Sequence, residues 1–282
     1  MNFYIVIPAH NEEDSIALTL ESLTNQTIVP KRVVVVNDNS TDNSQSIIEQ
    51  FVKNHDYISI VNTQSSDNHL PGTKIINAFY KGFETLDTNY DVICKFDADL
   101  IFPENYLEKL AYHFNKNKSL GMVAGFCYIQ KNNKWILENL TGKDHIRGAL
   151  KAYRKECFIE IGQLKRSIGW DTIDELLARY YNWQFMTDAS LHVKHLKPTG
   201  SSYNKGAKLM QGEAMYKIRL GFALTFLTGL KMAFKKRKPS VLKDYLAGYL
   251  KAMKNKIPQI VSEDQGQFIR KTRWKGVLRQ KS

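Results

Sequence analysis

The stretch RVVVVNDNSTD, residues 32–42, decides how this chain is built. A strand with one wet face alternates apolar and polar side chains, so an unbroken valine run reads as a strand covered on both faces, the condition of a parallel sheet between helices. The run stops at Asn37 and Asp38, and Ser40 or Thr41 can cap the helix read in NSTDNSQSIIEQFVKN. Upstream, FYIVIPA (3–9) is a short strand closed by proline. EEDSIALTLESLTNQT (12–27) then places apolar residues at 16, 18, 20 and 23 with acids early, as a helix start prefers. Downstream come a strand YISIVNT (57–63), a helix KIINAFYKGFETL (74–86) and a fourth strand DVICKFDAD (91–99). Strands alternating with helices predict βαβ units, right-handed crossovers and ligand binding at the carboxyl ends of the strands.

Beyond residue 104 the pattern gives a helix in ENYLEKLAYHFNKN and a strand in GMVAGFCYIQ (121–130). A mixed segment containing GALKAYRKECFIEIG follows, then a helix WDTIDELLARYYNW (170–183) and a strand ASLHVKHLKP (189–198). No internal repeat or low-complexity tract interrupts it. The 282 residues, 43% hydrophobic, suffice for a large α/β domain with an appendage. Three cysteines, Cys94, Cys127 and Cys157, form no CxxC pair, so neither a disulfide framework nor a zinc knuckle is expected and a reducing, cytoplasmic setting fits. MNFYIVIPAHNEED lacks a basic, apolar and cleavable leader, so it reads as a first strand.

The net charge of +12 is partitioned. Residues 1–202 carry 21 Lys+Arg against 24 Asp+Glu, net −3, and residues 203–282 carry 19 against 4, net +15. A near-neutral body followed by a basic appendage implies an anionic partner surface, lipid headgroups or nucleic acid.

Four stretches carry candidate chemistry. In IPAHNEE (7–13) a strand stops at Pro8 and presents Asn11, Glu12 and Glu13 beside helix-start amides, a place to hold a nucleotide; ordinary N-terminal capping explains the same residues. Asp38, at the end of the valine strand, can accept hydrogen bonds from a base or ribose, although Asp and Asn are also common turn formers. Asp97 and Asp99, two apart on a strand, are expected on one face, where their repulsion calls for a cation. Carboxylate oxygens suit Mg²⁺ or Mn²⁺ bridging to substrate phosphates; solvated turn acids before Pro103 are the plainer reading. In GWDTIDELLAR (169–179), Asp171, Asp174 and Glu175 share a helical face and can include a general base, or simply complement the helix dipole and pair Glu175 with Arg179.

Taken in order, IPAHNEE, VVVVNDNSTD, KFDADLIFP and GWDTIDELLAR resemble the signatures of family 2 nucleotide-sugar glycosyltransferases, over about residues 1–200. The resemblance implies a GT-A fold, a Rossmann-like α/β nucleotide-binding sheet flanked by helices, here residues 1–202; the charge division adds a basic helical region over 203–282. It implies that Pro8, Ala9, Asn11 and Glu12 line the nucleotide, that Asp38 meets the base, and that Lys74 lies near the base or phosphates. Asp97 and Asp99 correspond to the DxD motif, with Asp99 the direct ligand of Mg²⁺ or Mn²⁺. The catalytic base falls to Asp174 ahead of Glu175, because the usual Glu-Asp order is reversed here. His10 departs from the aromatic residue often found at its position. His195 alternates with Leu191 and Val193 and resembles the C-terminal histidine that some GT-A enzymes direct at metal or diphosphate; structural histidines on apolar faces have the same pattern.

The activity implied is inverting, metal-dependent transfer from a nucleotide-diphosphate sugar to a glycan or lipid-linked acceptor in envelope polysaccharide or glycoconjugate synthesis. Alternatives are a polyprenyl-phosphate sugar synthase or a non-catalytic sugar-nucleotide or membrane-binding module. In YKIRLGFALTFLTGLKMAFKKRK (216–238) the apolar run is too short to span a bilayer, which takes about 20 residues. It can lie in the interface of an anionic membrane, with Lys235, Lys236, Arg237 and Lys238 against lipid, or pack on the domain with its lysines solvated. FIRKTRWKGVLRQK adds a second cationic stretch. Nucleic acid is not the expected partner, since no RNA- or DNA-reading motif is present. The expected location is the cytoplasm, peripheral to the inner face of the cell membrane.

Overall fold

The computed structural model describes residues 1–65, 72–138, 145–197 and 208–279. The expected boundary at 202/203, Pro198 at the end of one expected strand, and the last residues of the second cationic stretch lie outside them. The described residues fall into two compact units: the chain up to residue 65 with Lys74–Leu164 and the stretch from Tyr181 to residue 197, and a second unit of residues 72–73, Lys165–Tyr180 and residues 208–279.

The first unit is built on β1 (Phe3–Ala9), β2 (Arg32–Asp38), β3 (Ile58–Thr63), β4 (Val92–Phe96), β5 (Leu100–Ile101), β6 (Leu120–Lys131), β7 (Lys134–Leu137), β8 (Leu150–Arg154) and β9 (Gln184–His195). They form one open sheet in the order β3-β2-β1-β4-β8-β6-β9-β5, with β7 hairpinned onto β6. The first four are parallel, as the valine run requires: Val33, Val34, Val35 and Val36 are all buried. Beyond β4 the sheet turns mixed, with β8 antiparallel to both β4 and β6 and β9 parallel to β6. The connecting helices are α1 (Ile16–Thr24), α2 (Ser44–Asn54), α3 (Thr73–Phe83), α4 (Tyr106–Lys116) and α5 (Lys155–Glu160). Gly82 brings α3 so close to the sheet that a Cβ there would lie 2.7 Å from Val36.

The second unit is helical: α6 (Trp170–Tyr180), α7 (Met210–Lys217), α8 (Phe222–Lys235), α9 (Ser240–Lys254) and α10 (Glu263–Arg279). The basic stretch 216–238 is not one helix. Arg219 at φ 55° and Gly221 at φ 86° turn the chain between α7 and α8. The α7–α9 crossing runs backbone against backbone: a Cβ on Gly212 would sit 1.9 Å from the Tyr245 carbonyl oxygen, and one on Gly248 2.0 Å from that of Leu209. Among the described residues no helix is long and apolar enough to cross a membrane.

Candidate active site

Because β1, β2 and β4 run parallel and adjacent, Ala9, Asp38 and Phe96 end on one edge of the sheet, and the turns that follow are stitched together there. Asn11 takes the left-handed backbone at φ 53°, which asparagine tolerates better than most residues. Its amide donates to Ser40 Oγ at 3.0 Å and its Oδ1 accepts the Thr41 amide at 2.8 Å. The Glu12 amide donates to Ser44 Oγ and the Glu13 amide to Asp42. The helix-start amides expected to be free for a nucleotide are therefore engaged within the chain, holding the turn after β1 to the turn after β2. Nearby, Asp38 is buried; its carboxylate accepts the Ser65 amide at 2.9 Å and the Ser65 hydroxyl at 2.7 Å. His10 Nδ1 donates to the Asp38 carbonyl at 2.6 Å. Lys74 lies in the first turn of α3, partly buried.

The acidic pair departs from expectation. β4 ends at Phe96, so Asp97 and Asp99 occupy a turn and not alternate positions of a strand. The turn is pinned from both sides. Thr19 of α1 donates to the Ala98 carbonyl at 2.8 Å and accepts the Leu100 amide at 3.0 Å, while the Leu196 amide donates to the Asp99 carbonyl at 2.9 Å. Each acid also faces a cationic or cationisable group of the chain. Asp97, partly exposed, pairs with Lys95, a lysine only 1% exposed. Asp99, largely buried, has its Oδ2 3.4 Å from His195 Nε2.

His195 closes this edge. Its other nitrogen, Nδ1, lies 2.8 Å from Glu138, whose carboxylate also receives Arg147 at 2.6 Å. The result is a buried relay, Asp99–His195–Glu138–Arg147. Burial alone lowers the imidazole pKa, but the two carboxylates outweigh it and hold His195 above its ordinary value. Two residues on, Lys197 reaches Glu12 at 2.7 Å, tying the end of β9 to the turn after β1. Thus Glu12, Asp99 and His195, far apart in sequence, converge with their neighbours on one sheet edge. Sequence reading missed Lys95, Glu138, Arg147 and Lys197.

The donor set fits a hard divalent ion. Asp99 supplies carboxylate oxygen, His195 presents Nε2 to it, and Nδ1 is fixed by a carboxylate, the outer-shell partner that metal-bound histidines ordinarily have. Cys127, Glu138 and His195 also bring three ligand atoms within 4.8 Å of one another. Burial pushes the Cys127 thiol up to about 12, however, and Glu138 already serves Arg147 and His195, so that trio is the weaker ion-holding set.

Asp174 and Glu175 lie on α6, in the helical unit, and both are buried, at 1% and 7% exposure. Asp174 Oδ1 accepts the Glu175 amide at 2.6 Å. Their burial sets them apart from fully solvated helix-start acids.

Residues 4–166 match the family model described as Glycosyl transferase family 2. The probable glycosyltransferase YdaM of Bacillus subtilis (strain 168) is 37% identical over 130 residues, covering 43% of this chain and 29% of that protein. Poly-beta-1,6-N-acetyl-D-glucosamine synthase of Staphylococcus epidermidis is 28% identical over 120 residues, covering 43% of this chain and 27% of that protein. This chain thus matches less than a third of the length of either relative. The solved mannosyltransferase PcManGT from Pyrobaculum calidifontis, in complex with GDP-Man and Mn²⁺, has a TM-score of 0.55 at 12% identity over 98% of this chain and 80% of its own, a likeness of fold.

Proposed function

Since this chain belongs to glycosyl transferase family 2 and has the GT-A architecture, we propose that it is an inverting, divalent-metal-dependent transferase acting on a nucleotide-diphosphate sugar. The observation that carries the reading is the Asp99–His195 pair, buried at the carboxyl edge of the sheet with Nδ1 held by Glu138. Asp99, Asp97 and His195 would hold Mg²⁺ or Mn²⁺, which when bound would offset the charge building on the leaving diphosphate. Pro8, Ala9, Asn11 and Glu12 would line the nucleotide, Asp38 would meet the base and Lys74 the base or phosphates.

Transfer would proceed by direct attack of an acceptor hydroxyl on the anomeric carbon, breaking its bond to the diphosphate and inverting the centre. Asp174, ahead of Glu175, would take the hydroxyl proton; burial of both carboxylates supports a chemical role over a solvated one. The acceptor would be a glycan or lipid-linked precursor of an envelope polysaccharide, in keeping with the polysaccharide synthase among the relatives. The working division is catalytic chemistry in 1–202 and a basic helical region in 203–282, peripheral to the inner face of the membrane.

The test is a panel of nucleotide sugars with Mn²⁺ or Mg²⁺, reading release of nucleoside diphosphate. Turnover is expected to need the ion and to fall about 10²–10³-fold in Asp99→Ala, the scale of losing one electrostatic contact to the transition state. If no donor is turned over or bound, or if Asp99→Ala turns over like the parent, the reading is wrong.

A further inference from the structure

Two lysines are buried in the strands that lead to the acidic turn. Lys95 of β4 is 1% exposed and Lys151 of β8 is fully buried. The β4–β8 register sets them directly opposite each other, so both side chains leave the same face of the sheet. An ammonium taken out of water needs an anion and hydrogen bonds in exchange. For Lys95 the anion is Asp97 Oδ1, and the Gly148 carbonyl accepts a further hydrogen bond at 3.2 Å.

The two acids of the turn are therefore not equivalent. Asp99 faces an imidazole, which can offer a lone pair to a metal; Asp97 faces an ammonium, which has donors and no lone pair. The backbone of Asp97 is fixed as well, its amide donating to the Ala149 carbonyl at 2.9 Å. A divalent ion shared by Asp97 and Asp99 would approach a carboxylate already matched by a positive charge set in the strand. The two cations repel, and more strongly at a buried edge than in water. A diphosphate supplies the negative charge that offsets this repulsion.

We propose that Lys95 is a positioning residue of the transfer site: it holds the Asp97 carboxylate in the donor-free protein and keeps divalent-ion affinity low until a diphosphate is present. The inference rests on the metal-dependent reading above. Coupling of this kind is reciprocal, so the factor by which a nucleoside diphosphate tightens Mn²⁺ is the factor by which Mn²⁺ tightens the nucleotide. Removing the charge of Lys95 frees Asp97 for the ion and shrinks that factor.

The test is Mn²⁺ binding to the full chain, read from the electron paramagnetic resonance of the free ion, with and without UDP or GDP. In the parent, whichever nucleotide binds should tighten Mn²⁺ at least about tenfold. Lys95→Met keeps the length of the side chain without its charge, and Asp97, with 28% of its side chain exposed, can take water in place of the lysine. This variant should bind Mn²⁺ alone about tenfold or more tighter than the parent, with a smaller gain on adding nucleotide. Lys95→Arg, which restores a cation, should return both values toward those of the parent. Lys95→Gln replaces Lys95→Met if circular dichroism shows that the methionine prevents folding. A folded, uncharged variant that binds Mn²⁺ alone no tighter than the parent, even with a lowered melting temperature, would show a merely structural lysine and overturn the proposal while leaving metal-dependent transfer standing. Absence of Mn²⁺ binding by the parent with either nucleotide would defeat the metal reading itself, and this inference with it.

Discussion

At the residue scale, one buried carboxylate explains how His195 is aimed. Glu138 has 3% of its side chain exposed and is shared by His195 Nδ1 and Arg147, leaving Nε2 directed at Asp99. Glu138→Gln keeps the size of the side chain but removes the charge that orients the ring. Mn²⁺ affinity, titrated in the presence of nucleoside diphosphate, is expected to drop about 10–100-fold, the usual effect of deleting an outer-shell carboxylate. A Glu138 that merely stabilised the fold would lower the melting temperature and leave Mn²⁺ affinity alone, and that outcome would rule the positioning role out. Asp99 and His195 were legible, because an acidic pair after a buried strand and a histidine on an alternating strand are local patterns. Glu138 was not: it stands 57 residues before His195 and comes near it only through the β6–β7 hairpin. The turn of that hairpin did leave a signal, the Asn132-Asn133 pair, both with positive φ as a two-residue hairpin turn demands. The repulsion between Asp97 and Asp99, which suggested a metal from sequence, is relieved in part by Lys95, a partner two positions back whose burial no periodicity announces.

At the element scale, the α7–α9 crossing gives a sharp prediction. Alanine is favoured over glycine within a helix by about 1 kcal/mol, but its methyl at 248 would stand 2.0 Å from the Leu209 carbonyl, on a backbone that cannot rotate away. Overpacking of this kind costs about 1–3 kcal/mol and occasionally more. Gly248→Ala is therefore expected to destabilise the α7–α9 pair by about 1–2 kcal/mol, seen as faster amide exchange in both helices; unchanged or slower exchange would mean the helices do not meet as described. In the sheet unit, His113 of α4 lies 2.7 Å from Asp188 of β9, and Ser190 donates to the same carboxylate from its amide and hydroxyl. Burial alone would raise Asp188, yet these hydrogen bonds, His113 first, prevail and hold it below its ordinary 3.8. A depressed folded value gives stability that is present above pH 3.8 and lost as pH falls through it. Asp188→Asn should cost about 1–2 kcal/mol near pH 6, and the gap from the parent should narrow in denaturant titrations below pH 4; a pH-independent gap would deny the linkage. The parallel strands were legible because burial on both faces forces continuous apolar runs. The two-residue β5 and the start of β9 were not, since their pairing is set by partners distant in sequence.

At the scale of the whole molecule, composition divides the chain more visibly than periodicity does. The division of charge into net −3 and net +15, from 21 against 24 and 19 against 4 residues, was visible without any structure. What it could not show was that α6, with Asp174 and Glu175, groups with the basic helices, because that grouping depends on packing between segments distant in the chain. The α8 end of the helical unit carries a membrane prediction. Phe234 is 76% exposed and Lys235, Lys236, Arg237 and Lys238 after it are all exposed, an apolar ring beside a cluster of cations. Each cation near an anionic bilayer is worth about 1 kcal/mol, so replacing all four by alanine should weaken sedimentation with phosphatidylglycerol vesicles by about 4 kcal/mol, close to three decades in affinity. The parent should bind phosphatidylcholine vesicles poorly and release from anionic ones as salt shortens the Debye length. Because the four side chains project into solvent, their loss should leave the melting temperature unmoved, which separates a membrane role from a packing one. A fourfold variant that still sediments like the parent would mean that these lysines are only solvated and that attachment, if it occurs, uses another face.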